Sequence, residues 1–286
     1  MTARNELQLF VNGIRTMPTL PGILAKLNTL ANDEKASVNE MARVVSADQV
    51  LSAKVLRLVN SPFYGFPGRV STVSNALILL GANVVKGLVL SSSIFEIMER
   101  HVVGLWEHSM GAAVVANVIA KKMGLPEPEE ISTAALLHDL GRVLVKLHLE
   151  DRYAELEATV AQGPSSMLDA ERARLSTDHA EVGEWLAKNW FLPEKLAEPI
   201  ACHHDVERSV THRTRTAVVH VSDALIKAFG FGFSGDDFVP RIHPHAWKTL
   251  GLSDVLLNEV LDEAEGRLVD AKHFSLEIQS ADDAAA

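Results

Sequence analysis

Cysteine is scarce in this chain. Its 286 residues contain one cysteine, Cys202, which excludes an intrachain disulfide and fits a reducing compartment. Positive charge is also in deficit: 27 lysines and arginines face 37 aspartates and glutamates, a formal net charge of −10. A surface of that sign argues against nucleic acid as the partner. Basic residues do not cluster between positions 48 and 80, which disfavours a DNA-reading helix-turn-helix there. A clean apolar run is missing as well. The longest candidate, residues 77–95, contains Asn83, Lys86 and serines at 91–93. A lysine near the centre of a membrane helix costs about 2.5–3.5 kcal/mol, so this stretch reads as a buried helix and not as a membrane span. No basic segment followed by an apolar run opens the chain, which disfavours a secretory signal. These absences lead to the expectation of a cytoplasmic protein without membrane contact.

What remains is an ordinary globular composition, 47% apolar and 22% charged, long enough for one large or two small domains. No alternating strand pattern and no fixed-period repeat stands out, and the expected class is all-α. Ser37 and Glu40 form a capping box ahead of Met41, Val44 and Val45. Asp48 caps a helix with a Leu51, Val55, Leu58, Val59 stripe, which Asn60-Ser61-Pro62 ends. Pro21 suits the first position of an earlier helix. A long helix from Ser74 is interrupted at Gly81 and continues to about Met98. Further helices are expected from Leu105 to Gly124, over 151–161, from Asp178 to Trp190, from Pro193 to His204, over 214–229 and over 253–269. Residues 230–245 read as loop, and a polar tail follows. Charge is split along the chain: residues 1–100 carry 10 basic and 7 acidic side chains, residues 101–286 carry 17 and 30.

Histidine is plentiful, with 12 residues, and its placement is informative. His138-Asp139 ends an apolar run, where a neighbouring imidazole and carboxylate can offer two metal ligands to a cleft. His179 opens a helix, His203-His204 closes one, and His108 follows Trp106 by two positions. Asp223 lies within the apolar segment 218–226, where an unpaired buried carboxylate would be costly without a cation or donor. Each has a plainer reading, as a cap, a core hydrogen-bonding group or a solvated helix end. Imidazole and carboxylate donors without thiolate suit iron or manganese, with nickel or zinc as alternatives. Two ions about 3.5–4 Å apart activate water and stabilise the leaving oxygen of a phosphoester. His101, His148, His212, His220, His243, His245 and His273 read as surface or structural, Cys202 as a small buried residue, and Trp185 and Trp190 as packing residues.

The ordered set His108, His138, Asp139, His179, His203, His204 and Asp223 resembles the HD phosphohydrolase pattern in its two-metal, HD-GYP-like form. The first half resembles the HDOD family more specifically, through Met17-Pro18-Thr19-Leu20-Pro21, the segment from Asp48 to Ser61, Phe63-Tyr64-Gly65 and the segment from Ala76 to Gly81. The resemblance covers about residues 12–270. It implies an N-terminal helical subdomain over 12–100, an HD-like subdomain over 101–229, a completing loop and helix over 230–270, and a polar tail over 271–286. It further implies that His108, His138, Asp139 and Asp223 hold one metal, that Asp139 bridges, and that His179, His203 and His204 hold a second.

Three departures separate the chain from the HD-GYP enzymes. Gly104 stands where three-metal members carry glutamate. Arg142 replaces a lysine, which changes phosphate-binding geometry. After His204 no Gly-Tyr-Pro loop follows, which disfavours cyclic-di-GMP hydrolysis. The expected function is a signalling module with a mono- or dinuclear site and a signalling-protein partner. The alternatives are a phosphohydrolase acting on a nucleotide or phosphodiester, with Asp139 and Arg142 as catalytic residues, and an adaptor with an empty pocket. A nucleotide or phosphate is the expected small ligand.

Overall fold

The computed structural model describes residues 2–13, 26–61 and 64–283, apart from positions 28, 32, 34, 35, 65, 67 and 68. The Met17–Pro21 motif, the helix start at Pro21, and Pro62, Phe63 and Gly65 lie outside the described residues. Among the described residues the regular structure is helical and no strand occurs.

The first half follows its local signals. Helix α1 spans Ala3–Gly13 and buries Ala3, Leu7 and Val11, one residue per turn. Its helical character has no strong cap in the sequence and was not among the expected elements. In α2 (Val38–Ser46) the capping box closes in both directions, Glu40 N–H donating to Ser37 Oγ at 3.2 Å and Ser37 N–H to Glu40 at 2.7 Å. In α3 (Gln49–Val59) the Asp48 side chain accepts from Leu51 N–H at 3.0 Å. Asn60 then ends α3 and pins the following loop, donating to Val70 O at 2.8 Å and accepting from Val70 N–H at 2.7 Å. Helix α4 (Val73–His101) breaks where expected: Gly81 sits at φ 79°, ψ 166°, a backbone region that is essentially glycine's own.

The second half is built around α5 (Leu105–Lys122), buried on nearly every side. Such a helix has no solvent face, which explains its weak amphipathic pattern. Around it lie α6 (Pro128–Leu137), α7 (Leu140–His148), α8 (Glu150–Gln162), α9 (Met167–Leu175), α10 (His179–Asn189), α11 (Glu194–Cys202), α12 (Arg213–Ala228), α13 (Pro244–Leu250) and α14 (Asp254–Asp283). The short α9 and α13 were not expected from the sequence, and α13 occupies part of the predicted loop. Residues 271–283, read as a polar tail, continue α14 instead. That helix docks on α5, where Arg267 donates to the buried Asn117 at 3.2 Å and Lys122 pairs with Glu263 at 3.1 Å. Once docked, a stretch without proline or glycine propagates the helix at little cost.

One apolar core runs from Ala3 to Ala271, through both halves of the chain. The halves meet where α1 packs on α10, with Arg4 paired to Glu181 and Asn189 donating to Val11 O at 2.7 Å, and on α6. Tyr64 OH lies 3.0 Å from Thr133 Oγ1, Asn83 donates to Glu130 at 3.1 Å, and a Cβ on Gly87 would lie 2.4 Å from Thr133 Cγ2. Helix α4 therefore needs glycine at 87 to approach α6 this closely. No helix among the described residues is long and apolar enough to cross a membrane.

Candidate metal centre

Five structural segments converge on one point. His108 lies in the first turn of α5. His138 and Asp139 form the joint between α6 and α7. His179 opens α10, His203 and His204 follow α11, and Asp223 lies on the inner face of α12. The joint is brought to α10 by backbone contact, since a Cβ on Gly141 would sit 1.9 Å from His179 O and 2.6 Å from Gly183 N. Only glycine at 141 permits that approach.

All seven residues expected from the sequence come together. Their ligating atoms fall into two groups, Asp139 with His179, His203 and His204, and His108 with His138 and Asp223. In the first group, Asp139 Oδ1 lies 3.0 Å from His179 Nε2 and 3.8 Å from His203 Nε2, and His179 Nε2 lies 2.8 Å from His204 Nε2. In the second, His108 Nε2 lies 3.1 Å from Asp223 Oδ1 and 3.3 Å from His138 Nε2. Asp139 Oδ2 turns toward this second group, 3.5 Å from His138 Nε2 and 3.7 Å from His108 Nε2. Metal–ligand bonds of about 2.0–2.2 Å separate the ligands of one ion by roughly 3–4 Å, the spacing seen here.

The imidazoles are aimed from behind. His138 Nδ1 donates to Ala135 O at 2.6 Å and His203 Nδ1 to Ile200 O at 2.8 Å. His179 Nδ1 donates to Glu171 Oε2 at 2.6 Å. Each bond places a proton on the outward nitrogen and leaves Nε2 facing the centre, the arrangement a metal ligand requires. His220, read as structural, donates to His203 O at 2.7 Å and accepts from His243 N–H at 2.9 Å. It holds the turn carrying His203 and does not join the donor set.

The electrostatics are those of a concentrated anion-and-imidazole site. Burial works against charge on both Asp139 and Asp223, yet their cationic and imidazole neighbours hold both carboxyls well below the usual range. Burial and the neighbouring His138 and His179 push His203 down to about 3. Burial, then His203 and His179, hold His204 well below its ordinary value. His179 goes the other way: burial and Arg142 oppose its charge, but Glu171 and Asp139 raise it to about 9. Asp139 Oδ2, Asp223 Oδ2 and His203 Nε2 are buried without a hydrogen-bond partner. Buried acceptors seldom go unpaired, and these converge where a cation would satisfy them. The residues present fit a divalent metal.

Arg142, expected to assist catalysis if the protein is an enzyme, is buried at the first donor group. Its side chain is 2% exposed and lies beside the first donor group, 3.4 Å from Asp139 Oδ1, 3.1 Å from His179 Nε2 and 3.8 Å from Glu171. The Glu171 contact was not expected from the sequence. Glu171 lies eight residues before His179, in a short helix signalled only by the Ser166–Asp169 cap.

A strap over residues 229–243 closes one flank. Phe233 N–H donates to Gly104 O at 2.9 Å, and a Cβ on Gly104 would lie 2.9 Å from Phe233 Cβ and N. Gly232 packs against the backbone of His108, and Asp236 accepts from Met167 N–H at 2.7 Å. The position at which three-metal enzymes are expected to carry glutamate is thus filled by the strap. Of the seven donors His204 retains the most exposure, 10% of its side chain.

Known proteins share this architecture. An HDOD domain protein from Geobacter sulfurreducens aligns over 94% of this chain and 97% of its own, at 27% identity and a TM-score of 0.72. A proposed phosphohydrolase from Shewanella amazonensis SB2B aligns over 94% and 97%, at 23% identity and a TM-score of 0.67. A proposed signal transduction protein from Marinobacter aquaeolei VT8 aligns over 90% of this chain and 60% of its own, at 20% identity and a TM-score of 0.67. An uncharacterized protein of Treponema pallidum (strain Nichols) is 25% identical over 201 residues; the match covers 68% of this chain and 38% of that protein's length. The HDOD domain family model matches residues 17–206, a span that holds six of the seven donors and ends before Asp223. The chain belongs to the HDOD domain family.

Proposed function

We propose that the protein is a cytoplasmic signal-transduction module whose HD-like half holds one or two divalent transition-metal ions. The observation that carries this reading is the convergence of seven donors on buried, unpaired acceptor atoms, in two groups joined by Asp139. His108, His138 and Asp223 would hold one ion, His179, His203 and His204 the other, with Asp139 between them. The donors are nitrogen and oxygen only, which favours iron or manganese and admits nickel or zinc.

Burial supports a regulatory role over rapid turnover. The donors come from α5, the α6–α7 joint, α10, the end of α11 and α12, so occupancy would tie five segments together and stabilise their packing. Helix α6 also carries the Thr133 and Glu130 contacts to the first half. A change in packing at His138 therefore has a direct route to the surface of residues 12–100, where a signalling-protein partner would read it. Differential occupancy of two packings is the physical form such a signal takes.

Phosphohydrolysis is the second reading, favoured by the carboxylate of Asp139, which faces both donor groups. When bound, two ions would supply Lewis-acid activation of water and of a phosphoester. The chain's own residues would orient the site: Asp139 sets the spacing and Arg142, at its Oδ1, balances its charge. A nucleotide or phosphate would then be the ligand. Elemental analysis after loading with Mn²⁺ or Fe²⁺, paired with hydrolysis assays on nucleotides and phosphodiesters, separates the readings. Metal uptake without turnover supports the module. Turnover abolished by Asp139→Ala supports the enzyme, and absence of metal uptake overturns both.

A further inference from the structure

We infer that Glu171 is the positioning residue of this site, fixing the ring of His179 and, through Arg142, the carboxylate of Asp139. The inference rests on the metal reading for its consequence, but the positioning itself is a property of the protein without metal. Glu171 is completely buried, on a helix that contributes no ligand of its own. One oxygen, Oε2, accepts from both the backbone N–H of His179 at 3.0 Å and its Nδ1 at 2.6 Å. The two bonds hold the first residue of α10 by main chain and side chain together: rotating the ring breaks the Nδ1 bond, and shifting the turn breaks the backbone one.

The other oxygen, Oε1, has no hydrogen-bond partner and lies 3.8 Å from Arg142 Nη1. Arg142 Nη2 in turn lies 3.4 Å from Asp139 Oδ1. The guanidinium is thus sandwiched between two carboxylates, one that faces the candidate metal and one that holds a candidate ligand. A buried carboxylate is costly to keep for packing alone. Its hydrogen bonds go to a ligand-bearing turn, its other oxygen lies in ion-pair range of the cation beside Asp139, and a carboxylate on the outer nitrogen of an imidazole makes the inner nitrogen a better ligand.

The prediction is selective. The ion held by Asp139, His179, His203 and His204 depends on Glu171 through both His179 and Asp139, and the ion held by His108, His138 and Asp223 depends on it less, through Asp139 alone. The test uses the full chain as wild type, Glu171→Ala and Glu171→Gln, with Co²⁺ as the probe. Competition titrations read affinity, and visible absorption reads the ligand field. Loss of the carboxylate in Glu171→Ala is expected to weaken one of two binding steps by about 10–100-fold, affect the other less and alter the Co²⁺ spectrum. Glu171→Gln, which keeps the shape and one neutral acceptor, is expected to restore part of both. In metal-free protein at one fixed pH, the ring N–H of His179 is expected as a downfield, slowly exchanging proton signal in wild type. That signal should be absent in Glu171→Ala and present in Glu171→Gln. Unchanged Co²⁺ affinity and spectrum in Glu171→Ala would overturn the inference, as would a His179 ring proton indifferent to the substitution. Wild type that binds no Co²⁺ yet shows the Glu171-dependent ring proton would overturn the metal reading and leave the positioning role standing.

Discussion

A Cβ placed on Gly141 would lie 1.9 Å from the carbonyl oxygen of His179. These residues are far apart in sequence, and their backbone contact locks the start of α7 against the start of α10. Asp139 sits two residues before one partner, and His179 is the other. The spacing between the two donors, 3.0 Å, is therefore set by a glycine that supplies no ligand.

Gly141→Ala should separate the two helices. The overlap is with backbone, which cannot rotate aside, so the cost should reach the upper part of the usual overpacking range, about 1–3 kcal/mol. Thermal unfolding of the metal-free protein measures this, and Mn²⁺ uptake should fall in parallel. A variant with wild-type melting temperature and metal content would refute the role assigned to this contact.

Gly104→Glu tests the strap. Restoring the carboxylate expected of three-metal enzymes should not add a third ion, because Gly104 has φ +84° and its Cβ position is taken by Phe233. The side chain would strain the backbone and displace the strap, at a cost of about 1–3 kcal/mol. Elemental analysis showing an extra equivalent of metal with no loss of stability would contradict this account.

Metal uptake should strengthen with pH. Burial and Arg142 oppose a proton on His179, but Glu171 and Asp139 win and raise it to about 9. A raised folded-state pKa favours the metal-free fold below the unfolded value, near 6.5, and that contribution is lost as pH rises through about 9. A metal needs the same nitrogen free, so binding below pH 9 must expel a proton. Co²⁺ titrations at pH 6.5, 7.5 and 8.5 should show rising affinity, with proton release in weakly buffered solution. Equal affinity at the three values would remove His179 from the ligand set.

Contacts between the halves should couple to the site. Gly87→Ala brings a methyl within 2.4 Å of Thr133 Cγ2 and should cost about 1–3 kcal/mol by overpacking. Tyr64→Phe removes the hydrogen bond to Thr133 and should cost about 0.5–1.5 kcal/mol. If α6 transmits metal occupancy, the stabilisation conferred by Mn²⁺ should be smaller in both variants than in wild type. Identical metal-induced shifts in melting temperature would break the proposed route.

Much of this protein was legible along the chain. Ser37 with Glu40, Asp48 ahead of α3 and the break at Gly81 act through residues a few positions apart, so their signals are local and their structures follow. The seven donors were legible for another reason: their residue types and order carry the family resemblance, whatever the distances between them. Helix α9 and the strap were not legible, because their conformations are stabilised by docking partners distant in sequence, and residues 271–283 were not, because they extend a helix docked further up the chain. Glu171 illustrates the limit most clearly. In the sequence it is one acid among 37; in the fold it is completely buried against His179 and Arg142. Residue identity determined which groups could serve as ligands. The crossing of α7 and α10 at Gly141, and the strap on Gly104, decided their spacing and exposure, because close backbone contact between remote segments leaves no periodic trace in the sequence.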